Sequence, residues 1–208
     1  MLIKKFAILT IVLALTACQA PGQVSGQIWG ATTSKDQFTD KVTKMATVGD
    51  GVSTNFIVTH SLKYYPFVGI QDGELYVGVR SGGRYRIPTG TIQIRIDENA
   101  SWTIGPEETP VYLAPLLPSI PIYAAIDSKG VIEKSQEKAM ENMTKIMSPY
   151  TATTGDKAKS IIKEMLLGKV IKYRTVGINQ AAPTTGQAVI DGSFLKSLRE
   201  IGINPENL

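Results

Sequence analysis

Residues Thr91-Ile92-Gln93-Ile94-Arg95-Ile96-Asp97 (TIQIRID) alternate strictly between apolar and polar side chains. A period of two puts Ile92, Ile94 and Ile96 on one face of an extended chain and Gln93, Arg95 and Asp97 on the other. That is the pattern of an antiparallel strand with one face buried and one wet. The same texture continues toward the N-terminus from about residue 44. Asn55 to Leu62 (NFIVTHSL) is β-branched and aromatic, and the turn Gly49-Asp50-Gly51 precedes it. Phe67 to Gln71 and Glu74 to Arg80 flank Asp72-Gly73, a tight-hairpin signal. Arg80-Ser81-Gly82-Gly83-Arg84 is a second glycine-rich turn, and Trp102 to Ile104 reads as one more short strand. Short strands joined by turns predict a meander, sandwich or partial barrel over residues 41–105.

Beyond this region the period changes. Residues 106–121 (PEETPVYLAPLLPSIP) hold five prolines, which exclude central strands and helix interiors. The stretch 106–125 reads as a Pro-rich connector, and Tyr112, Leu113, Leu116 and Leu117 favour its packing on the core. Gly130 to Met147 is helical by period, with Ile132, Ala139, Met140, Met143, Ile146 and Met147 near one face. Ser148-Pro149 stops it. Asp156 to Leu167 predicts a second helix, Lys169 to Ile178 a strand, Gln187 to Ile190 a short strand, and Ser193 to Ile201 a last helix. The expected class is α+β: an antiparallel β meander or sandwich, then a helix-rich C-terminal part over 126–208 with a short β pair, 41–208 forming one compact unit.

The N-terminus carries a different message. Lys4 and Lys5 precede Phe6 to Leu15 (FAILTIVLAL), an apolar run of ten residues. That length suits a signal segment, whereas a bilayer span needs roughly 20. The run ends at Leu15-Thr16-Ala17-Cys18, which resembles the lipobox of bacterial lipoproteins; the likeness covers the first 18 to 20 residues and says nothing of the rest. It implies a signal peptide over 1–17, cleavage after Ala17, and lipidation of Cys18 by diacylglycerol and a further acyl chain such as palmitate. Each buried methylene contributes about 0.8 kcal/mol, so two or more chains hold stably where one does not. Gln19 after the cysteine implies sorting to the outer membrane, most simply on its periplasmic side. Residues 18–40 then read as a lipidated flexible tether, rich in Gly, Gln, Ser and Thr over 19–35. Trp29 within it either rests on headgroups or docks onto the domain.

Composition narrows the function classes. Cys18 is the only cysteine, so the domain beyond it has no disulfide and no thiol for metal binding or nucleophilic attack. The 22 Lys and Arg exceed the 18 Asp and Glu by four, and loss of Lys4 and Lys5 halves that excess. No basic cluster points to nucleic acid.

Catalytic signatures are thin. Three Ser-x-x-Lys spacings occur, at Ser135, Ser160 and Ser193, without the Ser-Asp-Asn and Lys-Thr-Gly elements that accompany them in penicillin-recognising enzymes. His60 is the only histidine, so neither a metal set nor a recognisable triad forms around it. It reads as a strand-surface or core-edge side chain. Glu107-Glu108 and Asp97-Glu98 adjoin turns, where exposed acids are ordinary. Met140, Met143 and Met147, with Met165 on the next helix, have the spacing of a helix–helix core more than of a thioether copper site.

One constellation is less ordinary. Arg80, Arg84, Arg86 and Arg95 come from consecutive β segments, interleaved with Tyr76 and Tyr85. Guanidinium forks suit bidentate binding of carboxylate or phosphate, and tyrosines add stacking surface. Pairing with Asp72, Asp97 and Glu98 on a solvated face is the plainer account. The expectation is a membrane-anchored envelope component without cofactor or metal, more an interaction or assembly protein than an enzyme. It would bind another envelope protein or an anionic polymer. The alternative is a periplasmic hydrolase of peptidoglycan or another envelope polymer.

Overall fold

The computed structural model describes residues 27–35, 37–38, 40–53, 56–114, 131–176 and 184–208, the side chains of 53, 56 and 131–137 excepted. The signal peptide, Cys18 and the first part of the tether therefore lie outside the described residues, as do the later connector and part of the loop after residue 178.

Eleven strands are described. They are β1 (Ile28–Lys35), β2 (Val42–Gly49), β3 (Gly51–Ser53), β4 (Phe56–Val58), β5 (Tyr64–Gln71), β6 (Glu74–Ser81), β7 (Thr91–Ile96), β8 (Trp102–Ile104), β9 (Tyr150–Thr154), β10 (Val170–Val176) and β11 (Thr185–Val189). The helices are α1 (Val131–Ile146), α2 (Gly155–Leu167) and α3 (Gly192–Glu200). One antiparallel sheet has the order β1-β2-β5-β6-β9 and a second the order β11-β10-β7-β8, with β3-β4 as a small hairpin.

The two larger sheets differ in how many faces they bury. In β7 burial alternates residue by residue, with Ile92, Ile94 and Ile96 fully buried, as the TIQIRI period requires. In β5 nearly every residue is buried, so this central strand is covered on both sides. One face of the five-stranded sheet contributes Ala46, Val48, Val68, Val77 and Val79 to a core shared with Ile94, Ile171 and Tyr173 of the other sheet, Ile161, Ile162 and Met165 of α2, and Phe194 and Leu198 of α3. The other face packs Met45, Phe67, Tyr76 and Ala152 under Leu113 and Tyr112 of the Pro-rich segment. At about 25 cal/mol per Å² of apolar surface removed from water, this second cover adds materially to stability.

Local chemistry explains the hairpins. Asp72 and Gly73 take positive φ angles of 51° and 83° and join β5 to β6 in a two-residue turn, as the sequence predicts. Pro66 lies in β5 one residue beyond the last β2 pairing, at Thr47↔Phe67, so its missing N–H costs no bond to that neighbour. At Gly78 a Cβ would stand 2.0 Å from the Thr151 carbonyl oxygen, so only glycine lets β9 approach.

Three expectations need correction. Among the described residues the protein is mostly β, with 42% strand against 27% helix, and its C-terminal part is not helix-rich. Besides its helices that part supplies β9, which completes the five-stranded sheet, and β10, which lies between β7 and β11. Tyr150-Thr151-Ala152-Thr153-Thr154 escapes an apolar-run search because its buried polar groups are satisfied individually. Thr151 Oγ1 donates to the Gly90 carbonyl at 2.6 Å and Thr153 Oγ1 to Glu108 Oε2 at 2.8 Å.

Second, Ile28–Lys35 is a strand rather than a tether, paired along its whole length with β2. Trp29 docks onto the domain: it is 4% exposed, its ring centroid lies 4.7 Å from that of Phe194, and its Nε1 donates to the Val189 carbonyl at 2.7 Å. Third, the methionines do not form one cluster. Met165 is fully buried in the shared core, while Met143 and Met147 are half-exposed on α1.

Candidate functional site

The register of the five-stranded sheet assembles the most unusual polar group. Tyr65, Arg80 and Tyr150 are direct cross-strand neighbours on β5, β6 and β9. Arg80 is half-buried, and its Nε donates to Thr47 Oγ1 at 3.3 Å while that hydroxyl donates to the Pro66 carbonyl at 3.1 Å. Burial holds the Arg80 guanidinium below its ordinary pKa; Tyr150 opposes this, and the nearby Arg86 adds to it.

Arg86 comes from the loop after β6. Its Nη1 donates to the Tyr150 hydroxyl at 2.8 Å, and its guanidinium carbon lies 5.7 Å from the ring centroid. The ring is braced from below, edge-on to Phe67 at 5.9 Å. Two guanidiniums thus converge on one tyrosine. Among the described residues no carboxylate forms an ion pair with Arg80, Arg84 or Arg86.

The loop that presents Arg84, Tyr85 and Arg86 is tied down. Ser81 N donates to the Pro149 carbonyl at 2.8 Å, Gly82 N to the Lys63 carbonyl at 2.9 Å and Thr89 N to the Ser148 carbonyl at 3.0 Å. Gly83 N and Tyr85 N donate to the hydroxyls of Thr59 and Ser61 at 3.0 and 3.1 Å. Gly83 has φ +68°, and a Cβ there would meet Ser61 N at 2.2 Å, so glycine is required twice over. Arg84 is exposed, and Tyr85 is 73% exposed at the tip.

Beside this edge stands a second polar group that is already satisfied. The Tyr65 hydroxyl donates to Asp50 Oδ2 at 2.5 Å and accepts from His60 N at 2.9 Å. Lys63 Nζ lies 3.5 Å and His60 Nε2 3.6 Å from the same oxygen. Burial alone would raise the Asp50 pKa, but the Tyr65 hydrogen bond and the Lys63 and His60 charges together hold it below the usual carboxylate range. Burial and the Asp50 carboxylate push Tyr65 up to about 12. His60 lies in the loop after β4 and is exposed, not in a strand.

The other sequence candidates are dispersed. Arg95 belongs to the four-stranded sheet, where it pairs with Glu98 at 2.8 Å and donates to the carbonyls of Glu98 and Asn99. Tyr76 is fully buried, its hydroxyl donating to the Lys44 carbonyl at 2.9 Å, and burial raises its pKa. The predicted set therefore splits: Arg80, Arg84, Arg86 and Tyr85 share one edge, and Arg95 and Tyr76 do not join them. Tyr150 and Thr47 were missed, being 64 and 33 residues away in sequence from their arginine partners.

The remaining chemical spacings resolve into structure. Ser160 Oγ donates to the Asp156 carbonyl, and Ser193 sits beside its N-cap Asp191. The Ser135 side chain lies outside the described residues. Glu108 accepts from Lys157 Nζ at 2.8 Å and from Gly105 N at 3.1 Å, and Asp97 accepts from the backbone of Lys169 and Val170. Among the described residues no three His, Cys, Asp or Glu side chains cluster as metal ligands. Comparison of the chain with protein-family models, curated proteins and solved structures finds no match in any of the three.

Proposed function

We propose that this protein is a lipid-anchored component of a bacterial envelope, held by acyl chains on Cys18 at the outer membrane, that binds an anionic group of another envelope component. The edge formed by Arg80, Arg84, Tyr85, Arg86 and Tyr150 is the contact surface. One observation carries the reading: Arg80 and Arg86 converge on Tyr150 with no carboxylate partner among the described residues. A partly desolvated guanidinium normally finds an anion, because leaving a buried charge unpaired is costly. An incoming carboxylate or phosphate would meet two forks and a tyrosine ring already in position, so little ordering remains to be done on binding.

The anchor supplies location and the ordered edge supplies recognition. Arg80 orients the rung, Arg86 and Arg84 meet the anion, and Tyr85 adds stacking area at the tip. Cys18→Ala should block acylation and processing, leaving the protein unanchored or held as an uncleaved precursor, read by fractionation and mass spectrometry. Partner capture from detergent-solubilised envelopes tests recognition. Arg84→Ala combined with Arg86→Ala should weaken capture by at least about tenfold, the loss of one charge-assisted hydrogen bond. An unchanged set of captured partners overturns the assignment.

A further inference from the structure

We propose that the open face of the four-stranded sheet is a second binding site, and that it takes an extended acidic glycan bearing carboxylates. The inference is independent of the Arg80–Arg86 edge, which lies on the other sheet. It starts from the period of two: Ile92, Ile94 and Ile96 point into the core, so Gln93 and Arg95 point out, and β10 alternates in the same sense. In register, Gln187, Lys172 and Arg95 form one row across β11, β10 and β7. Thr185, Arg174, Gln93 and Thr103 form the next row, across all four strands. Four strands span roughly 14 Å, and the rows stand about 7 Å apart.

This face is not flat. A concavity of about 570 Å³ lies on it, lined by Gln93, Arg95, Ser101, Lys172, Arg174 and Gln187 among others. That volume is within the usual range for small-ligand sites.

Charge selects the ligand. Lys172 lies directly across from Arg95, and like charges opposed on neighbouring strands destabilise a sheet. Glu98 offsets the pair, taking Lys172 on Oε1 and Arg95 on Oε2, both at 2.8 Å. One acid thus serves two cations. The third, Arg174, spends its Nε on the Gln93 amide oxygen at 2.6 Å and has no carboxylate partner among the described residues. Asp97, at the end of β7, spends its carboxylate on the Lys169 and Val170 amides, so within the two rows three cations meet one acid, which favours an anionic chain. The amides of Gln93 and Gln187 and the hydroxyls of Ser101, Thr103 and Thr185 suit the hydroxyls of sugars more than a run of phosphates. The two rows fit a chain whose carboxylates are separated by neutral, hydroxyl-rich units.

The test uses the full acylated protein in detergent, with polygalacturonate, neutral dextran and polyphosphate as probes in biolayer interferometry. Polygalacturonate should bind, more weakly as salt rises, and dextran should not. Lys172→Gln combined with Arg174→Gln should weaken polygalacturonate binding at least tenfold, while Lys159→Gln, an exposed cation of α2 outside both proposed sites, should leave it unchanged. Far-UV circular dichroism checks folding. Should the double glutamine variant lose its fold, Gln187→Glu, which sets a carboxylate beside Lys172, should weaken binding several-fold. No binding of polygalacturonate, equal binding of dextran, tighter binding of polyphosphate, or unchanged affinity in the folded variants would each overturn the proposal.

Discussion

The two sheets handle charge in opposite ways. The five-stranded sheet is covered on both faces, and the arginine at its end, Arg80, is half-buried with hydroxyl partners. The four-stranded sheet leaves one face to solvent, where Lys172 and Arg95 share Glu98. A charge on the open face keeps its water, and Glu98 offsets two of the three cations there, so those ion pairs add little to stability. A guanidinium drawn into the covered sheet without an acid has lost water and not regained it from a counter-ion. Two different imbalances therefore mark the two sheets among the described residues: Arg80 lacks a counter-ion where it is half-buried, and Arg174 lacks one where it is wet.

The contrast can be broken by substitution. Phe67 is fully buried on the second face of the five-stranded sheet, edge-on to both Tyr76 and Tyr150 at 5.9 Å. Phe67→Ala should cost about 3–5 kcal/mol in chemical denaturation. A loss below about 1 kcal/mol would show that this face is not closed. Gly78→Ala forces a Cβ against the Thr151 carbonyl and should cost about 1–3 kcal/mol while loosening β9, seen as faster amide exchange at Thr151 and Thr153.

A smaller effect depends on pH. Glu108, paired with Lys157 and accepting from Gly105 N and Thr153, is held below the usual carboxylate range: these hydrogen bonds and the Lys157 charge outweigh the upward push of burial. Because its folded pKa lies below its unfolded one, its stabilisation is complete above the unfolded value near 4.3 and is lost as pH falls through the folded value. Glu108→Gln should therefore cost about 1 kcal/mol at neutral pH and flatten the acid limb of the stability curve. An unchanged acid limb would contradict the pairing. Smallest of all, Gln93→Ala on the open face should change stability by no more than about 0.5 kcal/mol.

How much of this was legible in the sequence follows from the same contrast. The half-buried strand TIQIRI announces itself because one face is wet, and Asp72-Gly73 announces the hairpin through its need for positive φ. α2 and α3 follow from apolar spacing, with Asp191 capping the latter. The strands that were missed or misread lack such signals. Ile28-Trp29-Gly30-Ala31-Thr32-Thr33-Ser34-Lys35 is polar because β1 is an edge strand, held mainly by backbone pairing and one buried tryptophan. β9 buries threonines whose hydroxyls find partners far away in sequence. The helix-rich expectation failed for that reason: helices carry a strong period, and short threonine-rich strands carry almost none. Of the candidate site, Arg80, Arg84 and Arg86 were legible from adjacency. Tyr150 was not, because only the β6–β9 register brings it there, and Arg95 was drawn in by proximity in sequence although it belongs to the other sheet.

Recognition of a protein partner is proposed to belong to the strand ends of the five-stranded sheet, where Arg80, Arg84 and Arg86 meet. It is tested most directly by running partner capture from envelope extracts in parallel for the wild type, Arg84→Ala plus Arg86→Ala, and Arg95→Ala. The principal protein partner should be lost with the first variant and retained with the second. Retention by both variants, or loss with Arg95→Ala alone, would contradict it.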